Sequence, residues 1–486
     1  MSHAADLQSA ELPAPAADAP ATPRRHAEPE YLLTLPPLRA IVRLAAPTTL
    51  VMLIAATSNV LYTYYVSRLG ADAIAAVSLV FPISLLAITA MGGGIGAGAA
   101  SAVARALGAG QPRGAAAIAE HALVLSVVLG VLFALGILLG APRLFTLMGG
   151  SGAVLASATL FARVLFGGAV ITFVGAMFDS IMRGEGNVRV PAVWSSTSLV
   201  LQILLTPVFM FVAGWGLVGA ALATLTAQLL ATMARARYVF GGRGVVRPTW
   251  RRRAFTLAPL MEILRVGVPA SLSTMITNIG MMVLTGVLAR LGEAHLAAYG
   301  LGTRLDFLLM SFAYGFGAAV LTLVGLATGA RRPERVRAYV ARAGAVMVAL
   351  LAVPGLLLCW RPMLWLGIFT HDPGIDAVGT QYFRIIGPSY PFVGISMVVA
   401  FALQGLGRAT APLVWMVVRV VGVLGVALVC TQWLGMADRA VFATVAVGNV
   451  LSAIVMLLLF LRIQHRMQVV HVAAHGHDDS LPLAGP

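Results

Sequence analysis

The chain has 486 residues, 59% hydrophobic and 10% charged, with a mean hydropathy of +0.91. So little charge cannot dress a water-facing surface, which excludes a soluble protein. The formal net charge of +15 is carried by arginine without a single lysine, and because the arginines sit in short loops between apolar runs, they read as topology signals rather than as a nucleic-acid surface.

Residues 1–37 are Ala/Pro-rich and polar, with no apolar core ahead of a cleavage site, so a disordered cytoplasmic tail is expected rather than a signal peptide. Hydropathy and Gly, Pro and Arg punctuation then predict helices at 39–66, 73–105, 115–140, 156–183, 190–213, 217–238, 262–289, 294–327, 334–359, 376–404, 411–433 and 438–463. Each reaches the roughly 20 residues a bilayer core requires. The expected fold is an all-α integral membrane protein, with twelve transmembrane helices in two pseudo-symmetric six-helix bundles. The first bundle fills 38–240 and the second 259–466. Between them, 241–258 with Arg251, Arg252 and Arg253 reads as a cytoplasmic linker or a holder of anionic headgroups. Residues 467–486, with His471, His475 and His477, read as a second disordered tail.

The loops test this count. One side carries Arg24, Arg25, Arg113, Arg183, Arg189, the run from Arg235 to Arg253, Arg331, Arg332, Arg335, Arg337, Arg408 and Arg466; the other carries Arg68, Arg143, Arg290, Arg361 and Arg439. The positive-inside rule therefore places both termini in the cytoplasm of a multi-pass inner-membrane protein.

An internal repeat runs at a spacing of 222 residues, then 221. Arg68-Leu69-Gly70 falls on Arg290-Leu291-Gly292, Gly108-Ala109 on Gly329-Ala330, Arg163 on Arg384, and Gly184, Gly186 and Pro191 on Gly405, Gly407 and Pro412. Each repeat holds an even number of helices, so the halves share one orientation and are related by an axis along the membrane normal, with a substrate path between them. The second and eighth helices, at about 50 Å, are longer than the hydrocarbon core and are expected to project into the cytoplasm.

A charge inside an apolar run costs several kcal/mol unless paired or neutralised, so it is a functional candidate. Asp306 stands about twelve residues into the eighth helix, near mid-membrane. A desolvated carboxylate can exchange a proton for an approaching cation, which is the logic of an antiporter. The alternative is a static ion pair with Arg304, Arg384 or Arg419, Arg419 being the partner to test first. Arg163 and Arg384 are expected to snorkel. Asp179 and Arg183 have the spacing of an ordinary helical ion pair. Asn59, Tyr62 and Thr63 on the first helix, and Gln202 and Thr206 on the fifth, have the spacings of two polar faces, a neutral pocket or interhelical hydrogen bonds. Cys359 and Cys430 lie in apolar runs and read as packed thiols. No phosphate loop, zinc spacing or nucleophile elbow is present, so no enzyme, no resident cofactor and no metal are expected.

Several motifs, in this order, resemble those of the multidrug and toxic compound extrusion (MATE) transporters, in their bacterial DinF-like branch. They are Leu69-Gly70, Ala75-Ala76, Phe81-Pro82, Gly108-Ala109-Gly110, Arg183-Gly184-Glu185-Gly186-Asn187 with Pro191, Gly219-Ala220-Ala221, Tyr299-Gly300, Arg304-Leu305-Asp306 and Gln404-Gly405-Leu406-Gly407 with Pro412. The resemblance implies export of amphipathic, often cationic compounds, driven by inward flow of protons or sodium ions; a monomer is expected. A lipid-linked saccharide flippase of the same superfamily is the alternative, kept open by Arg384 and Arg419. The sequence departs from the family pattern where a first-helix aspartate is usual, since Tyr62 stands there. The fifth-helix Asn and Asp before a proline are Gln202 and Thr206 before Pro207. The first lobe thus lacks the family's carboxylate pair.

Overall fold

In hydrocarbon no water satisfies the peptide group, so apolar stretches of this length must wind into helices. The computed structural model describes residues 27–248, 256–432 and 438–475. Its spans, numbered in chain order, are Pro37–Ser67, Ala71–Gly108, Pro112–Leu147, Gly152–Gly167 with Ala169–Gly184, Arg189–Val212, Gly216–Phe240, Leu257–Leu291, Glu293–Gly329, Pro333–Trp360, Pro373–Gly405, Thr410–Gln432 and Asp438–His475. Span 4 is two segments bent by 47°. The twelve expected helices are all present.

The three largest differences from expectation lie in spans 3 and 12 and in the N-terminal segment. The third span runs on to Leu147, through Pro142. Residues 27–34, expected in a disordered tail, form a helix, Ala27–Thr34. Its Leu32 and Leu33 are buried, and the Leu32 carbonyl accepts a hydrogen bond from Tyr339 Oη at 3.2 Å. The twelfth span continues to His475, covering residues 467–475 of the other expected tail. Arg251, Arg252, Arg253 and His477 lie outside the described residues.

Spans 1–6 and 7–12 form two lobes. They meet at the end that carries the arginine-rich loops, here the basic end. In span 2 every residue of 94–104 is buried, and in span 8 every residue of 319–327. The extra length of these two spans, expected to project into the cytoplasm, carries this joint. Close approach depends on glycines in repeat register: a Cβ on Gly108 would overlap the Leu326 carbonyl, and one on Gly329 the Arg105 carbonyl. Leu326 and Arg105 are themselves repeat mates, so the two spans cross on the pseudo-twofold axis.

Toward the far end each lobe keeps to itself. Ala73, Ala76 and Val80 of span 2 pack with Phe145 and Phe161 of their own lobe. Tyr299 and Leu305 of span 8 pack with Tyr382 and Phe383 of theirs. The lobes therefore part toward the far end, leaving a cleft closed at the basic end. Span 2 changes character between these halves through a π-helical turn, Thr89–Ile95, which contains Gly92, Gly93 and Gly94. Such turns widen the helix by one residue and interrupt the regular bonding ladder.

Candidate functional site

Asp306 sits on the span 8 face that also carries Gly302, Leu305 and Leu309, all turned into the second lobe. Gly302 is needed for close approach, because a Cβ there would overlap the Tyr382 ring. That ring delivers its hydroxyl to Asp306, Oη to Oδ2 at 3.3 Å. Tyr299 stands edge-on to Tyr382 at 6.2 Å between centroids, and Phe442 of span 12 does so at 5.3 Å. Edge-to-face pairs of this kind fix ring orientation. The other carboxylate oxygen, Oδ1, and the Tyr390 hydroxyl are also buried, and Tyr390 is the second hydroxyl that faces the carboxylate.

Among the described residues no arginine pairs with Asp306. Arg419 Nη2 donates instead to Asn449 Oδ1 at 2.6 Å, and Asn449 Nδ2 donates to Ser389 Oγ at 2.9 Å. Ser389 precedes Tyr390, so a polar chain across spans 10, 11 and 12 stands in place of the expected direct ion pair. Arg304 lies over the Phe369 ring, 5.5 Å from its centroid. Arg384 and Arg163 are exposed. Asp306 is thus a partly buried carboxylate faced by two tyrosine hydroxyls, Tyr382 and Tyr390, with no arginine paired to it among the described residues. Such a group can take a proton or meet a cation.

The first-lobe polar residues do not assemble into one pocket. Gln202 Nε2 donates to Thr224 Oγ1 of span 6 at 3.0 Å, and Thr206 is buried with its hydroxyl on the Gln202 carbonyl at 2.6 Å. Asn59 and Thr63 are exposed, with the Thr63 hydroxyl on the Asn59 carbonyl at 2.8 Å. Tyr62 turns the other way and packs against the lobe's far-end core. Interhelical bonding, one of the two expected readings, describes Gln202; the shared pocket does not form.

Asp179 also departs from its expected partner. Its Oδ1 meets Arg235 Nε at 2.7 Å, and Ser195 Oγ donates to its Oδ2 at 3.2 Å, tying spans 4, 5 and 6. Arg183 Nη2 donates to Ser180 Oγ at 3.0 Å. Glu185, 2% exposed, accepts from the backbone N–H groups of Val245 and Val246 and so holds the start of the interlobe connection.

Sequence reasoning missed Tyr299, Tyr382, Tyr390 and Asn449 around the second-lobe site. Asn449 left a signal, a lone amide in an apolar run, and Tyr299 stood only as part of a family-like motif; Tyr382 and Tyr390 left none, because membrane proteins carry tyrosine for many reasons.

A family model described as MatE matches residues 47–208 and again 269–431. The FAD transporter of Shewanella oneidensis is 26% identical over 402 residues, covering 80% of this chain and 87% of its own. The multidrug export protein MepA of Staphylococcus aureus is 22% identical over 443 residues, covering 90% and 97%. A MOP superfamily transporter from Pyrococcus furiosus superimposes with a TM-score of 0.83 at 29% identity, over 90% of this chain and 98% of that one. A structure of MATE in the bent conformation does so with a TM-score of 0.86 at 29% identity, over 91% and 99%. Matched twice, in the register of its own internal repeat, this chain belongs to the MatE family of membrane transporters.

Proposed function

We propose that the chain is a secondary active exporter of amphipathic organic compounds, driven by antiport of protons and working by alternating access between its lobes. The observation that carries this reading is Asp306: a partly buried carboxylate faced by tyrosine hydroxyls and, among the described residues, without an ion pair, set in one lobe of a two-lobed helical molecule that is closed at one end. A group so placed binds a proton from one side and yields it when a cationic substrate or a conformational change alters its surroundings. Uncharged residues such as Gln202 and Thr206 cannot do so at ordinary pH. The arginine distribution supports a cytoplasmic basic end and cytoplasmic termini, with the cleft facing outward. Relatives named for multidrug export and for FAD transport support organic molecules as the substrate class.

The test is reconstitution of the wild type and Asp306→Asn into liposomes under separate proton and sodium gradients, with a panel of fluorescent organic cations and a flavin nucleotide. Proton-driven flux that disappears in the variant supports the reading. If no probe moves while the protein is folded, organic export fails and the lipid-linked saccharide alternative takes its place.

A further inference from the structure

Two hydroxyls on the crossing spans make the same bond in opposite directions between the lobes. Ser101 Oγ of span 2 donates to the Gln404 carbonyl at the end of span 10, 2.6 Å away. Thr322 Oγ1 of span 8 donates to the Arg183 carbonyl at the end of span 4, 3.2 Å away. Donor and acceptor of the second bond each lie 221 positions from their counterparts in the first. Both hydroxyls are buried, Ser101 at 0% and Thr322 at 1% exposure.

The acceptors are matched as closely as the donors. A helix leaves its last carbonyls unpaired, and here both span ends terminate alike. Gly186 and Gly407 take left-handed conformations, φ +84° and +76°. Asn187 N then donates to the Met182 carbonyl at 2.9 Å, and Arg408 N to the Leu403 carbonyl at 2.8 Å. This left-handed glycine closure aims the same carbonyl of each lobe at the hydroxyl of the other.

One half is reinforced. Arg105, one turn beyond Ser101, donates from Nη1 to Ser101 Oγ and also reaches the Gly405 carbonyl at 3.3 Å. Its repeat mate is Leu326, which can make no such bond.

We propose that Ser101 and Thr322 are paired interlobe latches. They hold the basic end closed, both bonds must break for the lobes to part there, and the Ser101 latch is the stronger because Arg105 supports it. The proposal rests on the alternating-access reading and names the contacts that set its balance. Parting the lobes strands the two buried hydroxyl donors until water reaches them, while the Arg183 and Gln404 carbonyls keep their bonds from Gly186 N and Gly407 N; buried hydrogen-bonding groups generally impose such a cost.

The test measures lobe separation rather than flux, so the latch can fail while transport stands, and transport can fail while the latch stands. In a Cys359→Ser, Cys430→Ser background, spin labels go on Arg113→Cys and Glu334→Cys, exposed repeat mates at the basic-end starts of spans 3 and 9. Electron–electron distances are measured in lipid nanodiscs. Wild-type latches are expected to give one dominant short distance. The ratio of separated to closed molecules should rise about fivefold for each hydrogen bond removed, most in Ser101→Ala with Thr322→Val, and more in Ser101→Ala alone than in Thr322→Val alone. Ser101→Thr with Thr322→Ser keeps both hydroxyls and should keep the wild-type distribution. An unchanged distribution in the hydroxyl-free pair overturns the proposal, as does an equal shift in the hydroxyl-retaining pair. Should the hydroxyl-free pair not fold, Thr322→Val alone decides by the same criterion.

Discussion

The two lobes repeat their scaffold and not their charges. Glycines at the crossing, left-handed helix ends and the latch hydroxyls recur at 221-residue spacing. The buried charged groups do not: Asp179 and Arg235 of the first lobe correspond to Ala400 and Met456, Arg105 to Leu326 and Glu185 to Leu406, while Arg419 of the second lobe corresponds to Ser198. Asp306 corresponds to Ser84 or Leu85, either side of the one-residue slip in register. Backbone contacts on the axis must satisfy both halves at once, so both copies are constrained alike. Side chains inside one lobe answer only to that lobe's packing, and they are where the copies diverge. The first lobe closes its carboxylate in an ion pair; the second faces its carboxylate with tyrosine hydroxyls and, among the described residues, no cation.

This contrast breaks if the wrong carboxylate proves to matter. Asp306→Asn should bring proton-driven flux down to that of empty liposomes, whereas Asp179→Ala combined with Arg235→Met, which copies the second lobe's own residues, should keep wild-type flux. Next in size, Arg235→Met alone takes the ion-pair partner from Asp179 and leaves it only the nearby Arg183 and the Ser195 hydroxyl, and should cost up to about 3–5 kcal/mol. The double replacement should recover most of that, because an apolar pair of similar volume often matches a buried ion pair. Thermal midpoints in detergent compare the three proteins, and a double variant no better than the single one sinks the claim that this pair is self-contained.

Two smaller effects sharpen the shared scaffold. Gly329→Ala sets a methyl group against the Arg105 backbone, which has no side chain to swing aside. It should lower the midpoint, while Gly136→Ala, with nothing within 4 Å of its Cβ, should not. Last, Arg331 takes φ +54° where its repeat mate Gly110 takes +69°. A non-glycine residue there is strained, and Arg331→Gly should stabilise by about 1 kcal/mol; a lowered midpoint would show that the arginine side chain offsets the strain.

The position of Asp306 was legible because a carboxylate in an apolar run stands out without any knowledge of its surroundings. Its surroundings were not. Tyr382 lies 76 positions away, and Asn449 intercepts Arg419 before it can reach Asp306. Asp179 offered a nearby partner, Arg183, four residues on, yet it pairs with Arg235, because spans 4 and 6 pack side by side and bring that guanidinium to the carboxylate. The polar face expected from Asn59, Tyr62 and Thr63 divides, since three-residue and four-residue offsets fall on opposite flanks of a helical stripe and only Tyr62 turns into the core.

Sequence alone determined that this is a membrane protein of twelve helices built twice over, because hydrocarbon imposes length and apolarity on each span locally, and a duplicated chain keeps its glycines and prolines in register. Tertiary structure alone decided at which end the lobes join, which carboxylate is paired and which is left open, and which hydroxyls reach across. Those depend on how each helix is rotated and where it crosses its neighbours, and no single span carries that information.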